Sequence, residues 1–185
     1  LGVQILITGE KYKGYFDLNH RHGKGVCSYK NGSKYAGEWY RGVHEGFGVY
    51  ISPINERYIG QWRASKKHGN GRYYFENGDF YDGEFKLDLA AGMGAYYSRD
   101  GNIYSGMWEN DMRNGRGTYV FNNGSRYTGN WVNNDIHGKG KFDYANGCYY
   151  RGEFDKNRKH GKGIFTWANL NCYKGDFVYD EMKGK

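Results

Sequence analysis

Six histidines, three cysteines and a series of Gly-x-Gly turns are the residues of this 185-residue chain whose types could support a reactive site. Histidine serves as a general base or metal ligand, a thiolate as a nucleophile or zinc ligand, and close glycines can cradle a phosphate on backbone N–H groups. Gly23-Lys24-Gly25 and Gly161-Lys162-Gly163 have the form of such a cradle. The pattern recurs along the chain, however, and opens strands instead of a helix, so these read as packing glycines. His20, His22, His44, His68, His137 and His160 all fall in one recurring stretch. None leaves it to approach a candidate nucleophile, so no catalytic triad is suggested and no enzyme is expected.

Metal binding is constrained by the same spacing. Histidines on successive copies of the stretch should stand about 10 Å apart, too far to share one ion with bonds of about 2 Å. Cys148 and Cys172 lie at the opposite end of the repeat from His160. A zinc site drawing on Cys148, Cys172 and His160 therefore needs a second copy of the chain, and zinc at such an interface is the one cofactor the sequence leaves room for. Cys27 reads as a small packed residue. An odd number of cysteines without a tight motif fits a reducing compartment, which gives a cytoplasmic reading. The apolar start, Val3, Ile5, Leu6 and Ile7, is too short for a membrane span and lacks the basic flank of a signal peptide.

The elements that must position these residues are set by one period. Tyr12, Tyr35, Tyr58, Tyr81, Tyr104, Tyr127, Tyr150 and Tyr173 are spaced by 23 residues without a gap. With each tyrosine as position 0, position 2 is always glycine, position 4 is always Trp or Phe, and positions 11 and 13 are glycine. The whole of 1–185 thus reads as one array: a partial repeat 1–11, full repeats from 12, 35, 58, 81, 104, 127 and 150, and a partial repeat 173–185. The chain lacks an initiating Met and is expected to come from a longer array.

Positions 0, 2 and 4 alternate with polar residues, the period of a strand, and positions 13, 15 and 17 do the same. Each repeat is therefore a hairpin. Lys30-Asn31-Gly32 and its counterparts at positions 18 to 20 suit a type I turn followed by a left-handed glycine, and Leu170 is the one poor fit. The expected fold is all-β, an elongated single-layer antiparallel β-meander with rings on one face and polar side chains on the other. At about 4.8 Å per strand, some sixteen strands give a twisted rod about 75 Å long. A ring at position 4 should lie across the bare position 13 of the neighbouring strand, and position 2 should make room for the ring at position 15. Positions 5 to 12 are read as a loop rim.

Mean hydropathy is −0.95 and 19% of residues are aromatic, so the core must be thin and built of rings. Charge is uneven. The rim holds 16 of the 27 Lys and Arg and 9 of the 20 acids, which accounts for the net charge of +7. Arg63, Lys66 and Lys67, with Lys156, Arg158, Lys159 and Lys162, would meet phosphoinositide head groups or an anionic membrane, while the plainer reading of the rim is a solvated edge. Rings occupied in packing each other argue against nucleic acid as a partner.

The unit Tyr35-Ala36-Gly37-Glu38-Trp39 followed by Glu45-Gly46-Phe47-Gly48 resembles the MORN (membrane occupation and recognition nexus) repeat, as does Tyr127-Thr128-Gly129-Asn130-Trp131 followed by His137-Gly138-Lys139-Gly140. The resemblance covers essentially the whole chain and is nearest to the all-repeat cytoskeletal scaffolds of dividing protists. It implies a non-enzymatic scaffold at the cytoskeleton or cell cortex, a homodimer joined through its last repeats, with cytoskeletal or motor proteins as further partners. The groove expected to receive a second copy, or a helix of another protein, is lined by Tyr127, Trp131, Phe142, Tyr144, Tyr150, Phe154, Phe165, Trp167, Tyr173 and Phe177.

Overall fold

The computed structural model describes residues 1–184; residue 185, the last of the final partial repeat, lies outside the described residues. Among these there are seventeen strands and no helix. The chain forms two compact units, Leu1–Ala91 and Gly92–Lys185. In the first, β1 (Gly2–Ile5), β2 (Lys11–Asp17), β3 (His20–Ser28), β4 (Lys34–Tyr40), β5 (Val43–Ile51), β6 (Arg57–Arg63), β7 (Lys66–Tyr74) and β8 (Phe80–Lys86) each pair antiparallel with the next. In the second, the same holds for β9 (Leu89–Tyr97), β10 (Ile103–Glu109), β11 (Met112–Val120), β12 (Arg126–Val132), β13 (Asp135–Asp143), β14 (Tyr149–Asp155), β15 (Arg158–Thr166), β16 (Cys172–Val178) and β17 (Glu181–Lys183). Each unit is a single-layer antiparallel meander, as the alternation predicts.

The register puts glycine opposite glycine. Gly37 pairs with Gly48 and Gly48 with Gly60, while Tyr35 pairs with Tyr50. The ring that covers this bare backbone is the position 0 tyrosine, not the rings at positions 4 and 15 alone. A Cβ on Gly48 would enter the ring of Tyr35, and one on Gly37 would meet both that hydroxyl and the backbone of Gly48. The tyrosine hydroxyl then donates to the backbone carbonyl three residues on, a bond of 2.8–3.1 Å found in all eight repeats. The expectation for position 4 holds in part. The indoles of Trp39, Trp62, Trp108 and Trp131 donate to the carbonyl of the position 13 glycine in the preceding repeat at 3.1–3.4 Å.

The turns at positions 18 to 20 follow the sequence reading. Gly32 N–H donates to the Tyr29 carbonyl and Tyr29 N–H to the Ser33 carbonyl, with φ of 89° at Gly32. Leu170 adopts the same left-handed backbone, φ 69°, and keeps the same two bonds.

The eight-residue loop rim does not exist. Positions 6 and 7 form a two-residue turn with positive φ at both places, as in Leu18-Asn19, Arg41-Gly42 and Asn133-Asn134, which is the type I′ hairpin turn whose twist matches that of the strands. Strand resumes at position 8. Two extra residues are then absorbed by a bulge, since Trp39 pairs with His44 while Gly37 pairs with Gly48. The bulge turns on the position 11 glycine, φ 65° at Gly46 and 60° at Gly69. That glycine also leaves space for the position 3 side chain, Glu38 over Gly46 and Gln61 over Gly69, and Gln61 accepts from Asn70 N–H at 2.8 Å.

Within each unit, position 7 fastens a hairpin to the one before it. Its N–H donates to the position 9 carbonyl of the preceding repeat, and where it is Ser, Asp or Asn its side chain accepts the N–H of that same residue, while Gly42 makes the first bond alone. Asp88 does both for Lys67, Asn134 for Arg113, Asn157 for Ile136 and Asp180 for Lys159, with bonds of 2.8–3.0 Å.

These contacts rank two substitutions. Tyr58→Phe keeps the ring over Gly60 and Gly71 and removes one hydroxyl bond, and it should cost about 1 kcal/mol. Gly60→Ala forces a methyl into the Gly71 backbone and should cost ~3 kcal/mol or more. Urea unfolding followed by circular dichroism checks the order, which reverses if the hydroxyl and not the close approach holds the repeat.

Candidate functional site

The rings divide into a sealed floor and an open upper layer. In the second unit Tyr104, Tyr127 and Tyr150 meet Trp131, Phe154 and Phe177 edge to face in an unbroken series that half-buried Tyr173 ends, with centroids 4.8–5.4 Å apart. Edge-to-face packing suits the ring quadrupoles and lets one layer of side chains close over itself. Tyr127, Trp131, Tyr150, Phe154 and Phe177 are buried in this floor, so these five of the ten expected groove residues are out of a partner's reach. Burial pushes the hydroxyls of Tyr104 and Tyr150 up to about 12.

The remaining expected residues are accessible. Phe142, Tyr144, Phe165 and Tyr173 are half-buried and Trp167 is 39% exposed. Phe142, Tyr144, Phe165 and Trp167 continue a path that starts at Tyr119 and Phe121, which sequence reasoning had not placed in the groove; its rings are tilted from Tyr119 to Phe165 and edge-on at Trp167, with centroids 4.5–5.9 Å apart. Positions 15 and 17 supply all six. These positions pair across strands beside the position 0 tyrosines, so the floor lifts them toward solvent.

A second population on this face was not foreseen. Once strand resumes at position 8, position 9 points to the rings, and it is occupied by Arg21, His44, Lys67, Arg113 and Lys159 among others. The Lys67 ammonium stands 4.4 Å from the Tyr73 ring centroid, the Arg113 guanidinium 4.6 Å from Trp131, and the Lys159 ammonium 5.6 Å from Phe165. These are cation–π contacts in a partly desolvated setting. His44 instead stacks on Tyr35 with centroids 3.6 Å apart, and its Nε2 lies 2.7 Å from the Tyr29 hydroxyl. Burial, with the charge of Arg21 adding to it, holds its pKa down to about 4.

The expected lipid-binding rim is dispersed by the same geometry. Lys67 and Lys159 lie over rings, Lys66 is paired with Asp88 at 2.7 Å, and Lys162 faces the other side of the sheet, where Asp176 holds it at 2.7 Å. Arg63, Lys156 and Arg158 stay exposed beside type I′ turns. The excess charge therefore sits on both faces and not on one edge.

The expectation of a uniformly polar second face also fails in the first unit. There Tyr15, Val26 and Phe47 are 53%, 49% and 54% exposed and line a shallow groove with Ala36 and Val49. For zinc, Cys148 is half-buried and Cys172 exposed near the position 18 to 20 turns, with His160 in the bulge of β15. Among the described residues no three His, Cys, Asp or Glu side chains gather as ligands. None of the described helices is long and apolar enough to cross a membrane, there being no helix.

The tyrosine and glycine geometry described above recurs with a sequence pattern that can be compared with known families. The model of the MORN repeat matches residues 12–34, 35–57, 58–80, 81–103, 104–126, 127–149 and 150–172. The chain belongs to the MORN repeat family. MORN repeats are protein- and membrane-interaction modules. No curated protein matches this MORN chain. Among solved structures, it is similar to the SAS-4 (dCPAP) TCP domain of Drosophila melanogaster, in complex with a proline-rich motif of Ana2 (dSTIL). Identity is 14%, the TM-score is 0.53 and 88% of each chain is covered, which shows a shared fold. The TCP10 domain of Danio rerio CPAP in complex with a STIL peptide matches at 12% identity and a TM-score of 0.34, covering 98% of this chain and 94% of that one.

The buried imidazole makes stability depend on acid. His44 takes up a proton near 6.5 when unfolded and near 4 when folded, so the unfolded state binds more protons between those values and stability falls as pH drops through that window. Thermal melts at pH 7 and pH 5 should show a loss that shrinks in His44→Phe, which keeps a ring over Tyr35. An equal loss in both proteins would mean that His44 is not the titrating group.

Proposed function

We propose that this MORN chain is a non-enzymatic scaffold that self-associates through its C-terminal repeats, a second copy docking on the ring path of the second unit. The observation that carries this reading is the open layer from Tyr119 to Trp167, standing on a floor whose own rings are buried. Half-exposed aromatic side chains held rigid from below offer binding area at low entropic cost, the character of interface hot spots. The fly domain that shares the fold is in complex with a proline-rich motif, so a sheet of this kind can hold a protein segment. A segment of another cytoskeletal or motor protein would use the same path, in keeping with a role in organising assemblies during cell division.

Light scattering over a concentration series tests the self-association. The expected result is a dimer mass in the micromolar range, weakened about tenfold or more by Tyr144→Ala with Trp167→Ala, two side chains that do not form the floor. A monomer at high micromolar concentration counts against self-association.

A second reading keeps anionic membranes. It rests on Arg63, Lys156 and Arg158, exposed at the turns and without an ion pair among the described residues. Juxtamembrane basic residues contribute about 1 kcal/mol each before screening. Sedimentation with anionic liposomes at physiological salt should then depend on these three, and loss of binding is expected when all are changed to Glu. Pelleting that ignores the changes removes this reading.

A further inference from the structure

The side of the second unit that faces away from the rings carries a line of charge that neither reading uses. Strand pairing there places Thr128, Lys141, Arg151, Ile164 and Lys174 side by side on successive strands from β12 to β16. Lys141 and Arg151 stand directly opposite each other. Like charges in that relation are unfavourable, and nothing in the core requires them. Next to this row, position 12 presents Arg116, Lys139 and Lys162 on every second strand.

The acids nearby neutralise only Lys141 and Lys162. Asp143 is opposite Arg126 and paired with Lys141 at 2.5 Å, and Asp176 is taken by Lys162. Glu153 stands opposite Lys139, but its carboxylate is folded over the bulge glycine Gly161 and forms no ion pair with that lysine. Arg116, Lys139, Arg151 and Lys174 are left exposed and without an ion pair among the described residues. Between the two rows lies a groove floored by the backbone of Gly140 and Gly152 and walled by five cations, Arg126, Lys139, Lys141, Arg151 and Lys162, against two acids, Asp143 and Glu153.

The geometry points to this groove as a docking site for a short, extended, acidic segment of a partner protein. From Lys141 to Lys174 is three strand spacings, about 14 Å, which an extended chain covers in four to five residues with its alternate carboxylates about 6.8 Å apart. The site is a strip and not a plane. Its unpaired cations are flanked by the Asp143–Lys141 and Asp176–Lys162 pairs, which are neutral overall and offer a broad anionic surface little more to bind, whereas a narrow chain can follow the unpaired cations alone. That favours a peptide over a membrane. The groove lies on the face opposite the ring path, so it leaves that path free for a second copy.

The probe is a fluorescein-labelled decapeptide of alternating glutamate and serine, read by fluorescence anisotropy with the full chain. Saturable binding is expected at ~50 mM salt, weakening steeply toward ~150 mM as the charges are screened. Arg151→Gln with Lys174→Gln should weaken it about tenfold, and Arg116→Gln with Lys139→Gln should do so independently. All four side chains are exposed, so both variants keep the wild-type circular dichroism. Lys156→Gln with Arg158→Gln, at a turn and not in the lining of the groove, should weaken binding clearly less than either groove variant. The proposal is overturned if no saturable binding occurs, if a glutamine–serine peptide binds equally well, or if the turn variant loses as much as the groove variants. It is also overturned if liposomes of about 20% phosphatidylserine in phosphatidylcholine displace the peptide and pellet the chain through the same four residues, which would assign the groove to a membrane surface.

Discussion

One arrangement sets the rest of the structure: a tyrosine ring lying flat on two paired glycines, with its hydroxyl tied to the backbone three residues further along. The pairing of Gly37 with Gly48 under Tyr35 brings two backbones and a ring closer than any side chain at either glycine would permit. A single sheet has no second layer to cover it, and ordinary strands of this composition would leave their apolar face wet. Here the sheet covers itself. Within a unit a tyrosine is walled by the position 4 ring of its own repeat and by that of the next, as Tyr35 is by Trp39 and Trp62 and Tyr127 by Trp131 and Phe154. Within each unit the floor is built of rings, and Ile136 is the one large aliphatic side chain buried among the described residues.

Two consequences follow for where recognition can occur. The floor consumes the largest rings, so what remains for a partner is the tier above it, positions 15 and 17, and the side chains of the reverse face. The cations at position 9 lie in the first of these tiers. Arg113 and Lys159 fill space over Trp131 and Phe165 that would otherwise be open hydrocarbon, and their charge keeps that surface hydrated at its edge. The reverse face is not constrained by the floor at all, which is why it is apolar around Phe47 in the first unit and basic around Arg151 in the second.

The period, the hairpin in each repeat, the face that carries the position 0 and 4 rings and the three-residue turn were legible because each is a local signal repeated in fixed phase. The position 6 and 7 turn was not. Its first place holds Leu18, Arg41, Ala64 and Lys156, residues that rarely take positive φ, and they hide a type I′ turn that Gly, Asn or Asp at position 7 would otherwise announce. Reading positions 5 to 12 as loop then concealed the bulge at Gly46 and Gly69, and with it the parity that sends Lys67 and Lys159 to the rings. The buried half of the expected groove failed for a related reason. Periodicity says which side a ring faces, but depth depends on neighbouring strands, and Tyr127 and Phe142 share a face while only one is sealed.

The clasp at position 7 ties a hairpin to its immediate predecessor within a unit. Within a unit, tension on the chain would therefore load one hairpin junction at a time, shearing a pair of Asp or Asn hydrogen bonds and a ring contact before the next junction felt the pull. Extension would proceed in equal steps, each releasing a 23-residue length, and the junction at Gly42, which has no side chain to complete the clasp, would be the softest link of its edge.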